Sequence, residues 1–245
     1  MDFTKVKTLL IAVFLCLNVF LFVQWRVLQA NVAVYAEPVS DQFANAQSAL
    51  ANSNVHVQAV LPSITQPISP VEVRLDSPPF SVQDTMPALT TASDRKNKIS
   101  VVRSWVAKHV YNGNAYGFLG WTEMKGERIA VFTQDINGYP VFSAPLRIHL
   151  KGSRIVGYDQ TLLIVRSVKT PRPVIGPVSA LLSLAQYLQR AKISVPNQVK
   201  DVRLGYYSAI VTSVGFYLAP VWRIGTARGV FFINAFTGEV EVALS

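Results

Sequence analysis

The sequence predicts an α+β fold: one N-terminal transmembrane helix, then an extracytoplasmic region of two related lobes, each a helix followed by an antiparallel sheet. Three observations carry this. Residues 8–25 form an apolar run with no charged side chain. Helical spacing of apolar residues appears twice, near 94–111 and again from 178. Each time it gives way to strand-like runs joined by turn residues.

The apolar run comes first. Eighteen helical residues rise roughly 27 Å, close to the hydrocarbon thickness of a bilayer. Lys5 and Lys7 precede the run and only Arg26 follows it closely, so the positive-inside bias places the N-terminus in the cytoplasm. Trp25 suits an interfacial anchor. Val34-Tyr35-Ala36 fits a signal-peptidase pattern, but the run is longer than a usual signal core and the candidate cut lies well beyond its end. A retained helix is the expectation. Leu15 before Cys16 is too bulky for a lipoprotein cleavage site. The division is a cytoplasmic tail at 1–7, a transmembrane helix at 8–26, and a C-terminal region outside the cell.

Residues 27–93 read as a juxtamembrane helix and proline-rich strands and loops. Val55–Leu61 and Val71–Leu75 alternate as strands do, and the prolines around them favour sheet edges. In the first lobe, 94–168, Ile99, Val102, Val106, His109 and Val110 recur at helical spacing, with Ser93 as N-cap. Strands are expected at Ala115–Thr122, Arg128–Gln134, Tyr139–Leu150 and Arg154–Val165. Asn137-Gly138 and Lys151-Gly152-Ser153 supply the turns. Residues 169–177, with Pro171, Pro173 and Pro177, form a stiff connector. The second lobe, 178–245, repeats the scheme: Val178, Leu181, Leu182, Leu184, Ala185 and Leu188 mark the helix, then Val199–Val211, Phe216–Thr226 and Val230–Leu244 the strands.

The chemistry points away from an enzyme. Cys16 is the single cysteine, so no intrachain disulfide and no cysteine-based metal site exists. His56, His109 and His149 have no neighbour at metal-ligand spacing. No phosphate loop or nucleophile elbow occurs. Ser93-Asp94-Arg95-Lys96 fits S-x-x-K, but no S-x-N follows it and Pro171 stands where a K-T-G motif needs glycine, so Ser93 reads as a helix cap. No catalytic residue, cofactor site, metal site or small-molecule substrate is expected.

Charge is unevenly divided. Residues 27–93 hold one basic and five acidic side chains, whereas 94–228 hold nineteen basic and six acidic. A basic region outside the cell suits lipid head groups, anionic wall polymer or an acidic partner; nucleic acid is not expected there.

Two sets of residues are candidates for contact. Thr8, Ala12 and Cys16, spaced by four, give one face of small side chains on the membrane helix, where backbones can approach closely. Asn18 projects roughly 120° away, and an amide in hydrocarbon seeks a hydrogen-bonding partner. Outside the membrane, Phe216 and Trp222 share one face of an alternating strand, and Trp105 lies on the first lobe's helix. They serve either the core or an interface.

Certain stretches resemble a known family. The opening Met1-Asp2-Phe3-Thr4-Lys5-Val6-Lys7-Thr8, running through Phe14-Leu15-Cys16-Leu17-Asn18-Val19-Phe20-Leu21, is similar to the start of YycI proteins of low-GC Gram-positive bacteria. Asn137-Gly138-Tyr139-Pro140-Val141-Phe142, Ile155-Val156-Gly157-Tyr158-Asp159-Gln160, Pro220-Val221-Trp222-Arg223-Ile224 and Asn234-Ala235-Phe236-Thr237-Gly238-Glu239-Val240 resemble the outer domain of that family. The resemblance implies lobes like those of YycH and YycI, more loosely like PepSY domains. It also implies a non-enzymatic regulator of the sensor histidine kinase WalK (YycG) in cell-wall homeostasis, acting with YycH through the bilayer and outside it. The alternative is an anchored binding module for anionic wall polymer or a protease.

Overall fold

The protein is seen here in a computed structural model that describes residues 7, 10, 11, 13–23, 39–63, 66–76, 81–82, 95–124, 126–192, 197–227 and 229–242. Four helices occur among them: α1 (13–23), α2 (Val39–Asn52), α3 (Arg95–His109) and α4 (Pro177–Arg190). The strands are β1 (Val55–Val57), β2 (Val71–Leu75), β3 (Ser81–Val82), β4 (Tyr116–Met124), β5 (Glu127–Ile136), β6 (Tyr139–Lys151), β7 (Arg154–Gln160), β8 (Leu163–Val168), β9 (Asn197–Tyr207), β10 (Phe216–Thr226), β11 (Gly229–Asn234) and β12 (Val240–Val242).

The two helix-plus-meander units are fused into one sheet, ordered β12-β11-β10-β9-β6-β5-β4. Antiparallel hairpins join neighbours within each unit. The junction between units is parallel, with Val141 of β6 opposite Tyr206 of β9. Gly205 sits at this junction because nothing larger fits. A Cβ there would stand 2.4 Å from Pro140 O and 2.6 Å from the Phe142 ring.

Each unit has its own core. In the first, Val102, Trp105 and Val106 of α3 pack with Phe132, Leu146, Ile148 and Ile155. In the second, Leu181, Leu184 and Leu188 of α4 pack with Trp222, Ile224, Ile233 and Tyr206. Fully burying one such side chain contributes about 1.5–3 kcal/mol. Along β5, Ala130, Phe132, Gln134 and Ile136 alternate onto one face; the first two join one core and the last joins the other. Gln134 stands between them. Its Nε2 donates to Leu163 O at 2.8 Å and its Oε1 accepts from Leu163 N at 2.9 Å, so a side-chain amide continues the ladder where the backbone cannot.

The expected strand Arg154–Val165 is two strands broken at Thr161-Leu162. β7 completes the first unit, while β8 leaves to pair with β2. The described parts of residues 39–82 interleave with the two units. α2 lies along α4, β1 pairs in parallel with β9, β2 inserts between β8 and β10, and β3 pairs with β7. Val71–Leu75 is therefore not an edge strand: Pro70 stands directly before its first residue, where no ladder hydrogen bond is lost, and both of its sides are paired. The Asn137-Gly138 turn has φ of 55° and 82°, as its residue types require, and Asp135 Oδ1 accepts from Gly138 N at 2.8 Å. Ser93 lies outside the described residues.

Candidate functional site

The N-terminal helix is the most apolar exposed surface of the described chain. Leu10, Ile11, Val13, Phe14, Leu15, Leu17 and Val19–Val23 all leave half or more of their surface uncovered. Cys16 and Asn18 lie in α1 and are exposed. Thr8 and Ala12 fall outside the described residues, so the small-residue face is seen only at Cys16. Among the described residues no helix is long and apolar enough to cross a membrane.

The aromatic candidates go elsewhere. Trp222 is completely buried, and its Nε1 donates to Ile175 O at 2.9 Å. Strand alternation explains this, because Leu218, Trp222 and Ile224 share one face and join the core that α4 covers. Trp105 is 6% exposed, stacked on His109 with centroids 5.1 Å apart and edge-on to Tyr158. Phe216 is half-buried against the second core. Trp222 and Trp105 are thus core residues, not surface available to a partner.

Three other arrangements emerge. A groove of about 590 Å³ lies between the units, walled by Phe118 and Leu119 of β4, Tyr139 and Pro140 of the hairpin, Val202–Leu204 of β9 and Pro62. Its β9 wall is the stretch between Val199, where pairing with β1 ends, and Tyr206, where β6 meets β9.

On the outer face of the second unit, Asp201 accepts from Arg203 Nε at 2.7 Å and also pairs with Arg223. Burial pulls the Arg223 guanidinium downward, and Asp201 opposes that shift. On the outer face of the first unit, His149 Nε2 lies 2.7 Å from Asp159 and Nδ1 lies 3.6 Å from Glu127. Each carboxylate takes a different ring nitrogen, so the trio ties β5, β6 and β7 together instead of converging on a point. No group of three His, Cys, Asp or Glu side chains among the described residues is placed to hold a metal ion.

Sequence reading missed the turn between β9 and β10. Ile210 and Val211 look like the end of an alternating strand, but β9 stops at Tyr207 and both side chains face solvent. Opposite Tyr217, Glu72 accepts from Ser167 Oγ at 2.8 Å and meets Lys169 Nζ at 3.4 Å. The Ser167 hydrogen bond and then Lys169 pull the Glu72 carboxyl down; Tyr217 and then Glu72 push Lys169 up.

Comparison with known proteins gives a family. No curated protein matches the sequence. Among solved structures, an uncharacterized protein from Eubacterium rectale aligns at 17% identity over 48% of this chain and 43% of its own length, with a TM-score of 0.38. The C-terminal domain of Bacillus megaterium YpeB aligns at 13% identity over 67% of this chain and 72% of its own, with a TM-score of 0.40. The sequence itself matches the model of the YycI protein family over residues 43–236, about four fifths of its length. The chain belongs to the YycI family, a family of regulators associated with the YycG/WalK two-component system.

Proposed function

We propose that this chain is a non-enzymatic, membrane-anchored regulator of the WalK (YycG) sensor kinase. Its N-terminus lies in the cytoplasm, its helix sits in the bilayer, and its two-lobed region lies outside the cell and contacts YycH. The observation that carries the reading is the contrast between ends. The lobes close over their own cores, whereas α1 leaves every large apolar side chain uncovered. Such a helix gains stability only from lipid or from other helices.

Regulation follows as a population shift. A partner that contacts one signalling state of the kinase better than the other biases the equilibrium by the difference in affinity alone. The helix supplies two means of telling states apart. The small face at Thr8, Ala12 and Cys16 lets a neighbouring backbone approach, and the Asn18 amide, off that face, seeks a hydrogen bond worth on the order of 1 kcal/mol in a bilayer.

The test is co-purification of the full chain with the kinase from membranes, together with a signalling readout. Ala12→Ile and Asn18→Leu are expected to weaken both. Unchanged association and signalling in the double variant would sink the helix-contact reading. Crosslinking from Cys16 then identifies the neighbouring helix.

A further inference from the structure

Ile210–Tyr217 concentrates exposed apolar surface more than any other described segment of the folded region. Ile210 is 67% exposed, Val211 37%, Val214 85% and Tyr217 57%. Isolated apolar side chains on a surface are ordinary, but four within eight residues, three in one turn and the fourth at the start of β10, are not.

The turn is built, not loose. Ser208 Oγ donates to Ile210 O at 2.8 Å and accepts from Ile210 N at 3.3 Å. Leu75 N donates to Thr212 O at 3.2 Å, and Arg166 Nη1 donates to Val214 O at 3.4 Å. The exposed side chains therefore stand on a backbone held from three sides.

Charge surrounds it unevenly. The adjoining segments 71–76 and 163–169 carry Arg74, Arg166 and Lys169 against Glu72 and Asp76. Lys169 Nζ lies 5.3 Å from the Tyr217 ring centroid. An apolar tip with an aromatic hydroxyl and a basic collar is complementary to the head-group region of an anionic bilayer: aliphatic side chains enter, Tyr sits at the boundary, and cations meet phosphate.

Position agrees. Ser53 and Gln189 are joined at 2.8 Å, and Gln42 lies beside Gly176, so α2 and α4 run side by side in the same direction. β10 runs the same way as α4, because Trp222 meets Ile175 O just before α4 while Phe231, paired with Ile224 farther along β10, meets Tyr187 near the α4 C-terminus; the β9–β10 turn therefore lies at the end of the second lobe where α2 begins. That is the end at which the chain arrives from its apolar N-terminal segment. Fifteen residues, 24–38, lie between α1 and α2, a contour of at most about 50 Å.

We infer that the β9–β10 turn is a second membrane contact, in which Ile210, Val211, Val214 and Tyr217 dip into the interface of an anionic bilayer while Arg166 and Lys169 engage its phosphates. The inference rests on the membrane anchorage proposed above, and its test separates the two.

In full-length chain carrying Cys16→Ser, single cysteines replace Ile210, Val214, Val60 or Phe20 and are labelled with an environment-sensitive fluorophore. The chain is reconstituted into vesicles of phosphatidylcholine with or without phosphatidylglycerol. Val60, an apolar residue 92% exposed elsewhere, is the aqueous reference. Labels at 210 and 214 are expected to shift blue and lose emission to a quencher attached to lipid tails when phosphatidylglycerol is present. The label at 60 stays in water, and Arg166→Glu with Lys169→Glu abolishes the effect at 210 and 214. Labels at 210 and 214 that match position 60 overturn the inference whatever Phe20 does. An unquenched label at 20 overturns the anchorage instead, and quenching at 210 with none at 20 leaves the turn as the membrane contact.

Discussion

The two lobes solve one packing problem with different materials. In the second, α4 buries seven residues, nearly all aliphatic, and the largest buried aromatic of that core, Trp222, has its indole N–H bonded to a backbone carbonyl. In the first, the described buried residues of α3 are Val102, Trp105 and Val106, and much of the core is aromatic: Trp105, Tyr116, Phe132 and Tyr158, with Phe118 and Trp121 at its border. Trp105 Nε1 and Trp121 Nε1 are buried with no hydrogen-bond partner among the described residues. Among the described residues, the second lobe also receives α2, β1 and β2, whereas the first receives the two-residue β3. A repeated architecture thus carries unequal loads, with the second lobe as the keel and the first leaning on it.

The comparison breaks most visibly at the keel. Trp222→Ala removes a fully buried indole and its bond, so a loss of about 3–5 kcal/mol is expected in denaturant titration. If the first lobe leans on the second, native signals from both are lost together. A first lobe that stays folded in this variant would show the two to be independent.

The seam comes next. Replacing Gln134 with Leu strands the buried Leu163 N–H and C=O, each costing about 1–3 kcal/mol. Gly205→Ala forces its Cβ into Pro140 O and the Phe142 ring, with overpacking expected to cost about 1–3 kcal/mol. Both changes act where the units meet, so a single unfolding transition should separate into two, read by hydrogen exchange of β5 against β10. A uniform drop with one transition would instead make the seam merely part of a common core.

How far the residues alone reveal this fold depends on whether an element is set locally or by pairing. Val71–Leu75 and Phe216–Thr226 are bounded as the alternation of their residues indicates, and the Asn137-Gly138 turn follows from backbone preference alone. The break at Thr161-Leu162 has no proline or glycine to announce it. It exists because Gln134, far away in sequence, captures Leu163. The ends of β9 are similar: Ile210 and Val211 continue a strand pattern, yet β10 changes partner from β9 to β2 at Phe216–Leu218, and the ladder stops at Tyr207. For the candidate site, pattern reading finds Trp222 and Phe216 on one face but not whether that face is covered. Burial under α4 is a tertiary fact.

Alkali offers a milder probe that touches each lobe once. Burial pushes the Tyr116 hydroxyl up to about 12, with the Gln160 hydrogen bond opposing, and burial with Tyr139 pushes Tyr206 up to about 12. Both hydroxyls donate to backbone carbonyls, Thr161 O at 2.7 Å and Ser69 O at 2.8 Å. A raised folded-state pKa keeps the native proton in place while the unfolded tyrosine ionises. Stability is therefore intact below about pH 10 and falls between about 10 and 12. Tyr116→Phe and Tyr206→Phe should each start lower at neutral pH yet fall less steeply across that window. A slope that only one substitution changes would assign alkaline opening to that lobe.

The finest comparison pits the two tryptophans against each other. Phenylalanine at either position gives up part of the ring, a penalty common to both. At 222 it also strands Ile175 O, which has lost its donor; at 105 it removes a buried N–H that has no partner among the described residues. An unmade hydrogen bond costs more than a made one gains, so the substitutions should diverge by about 1–2 kcal/mol, with Trp222→Phe the worse. Equal losses at both sites would mean that the Trp105 indole is as well satisfied as its counterpart, and the asymmetry between the lobes would then rest on their strands and helices instead of their buried polar groups.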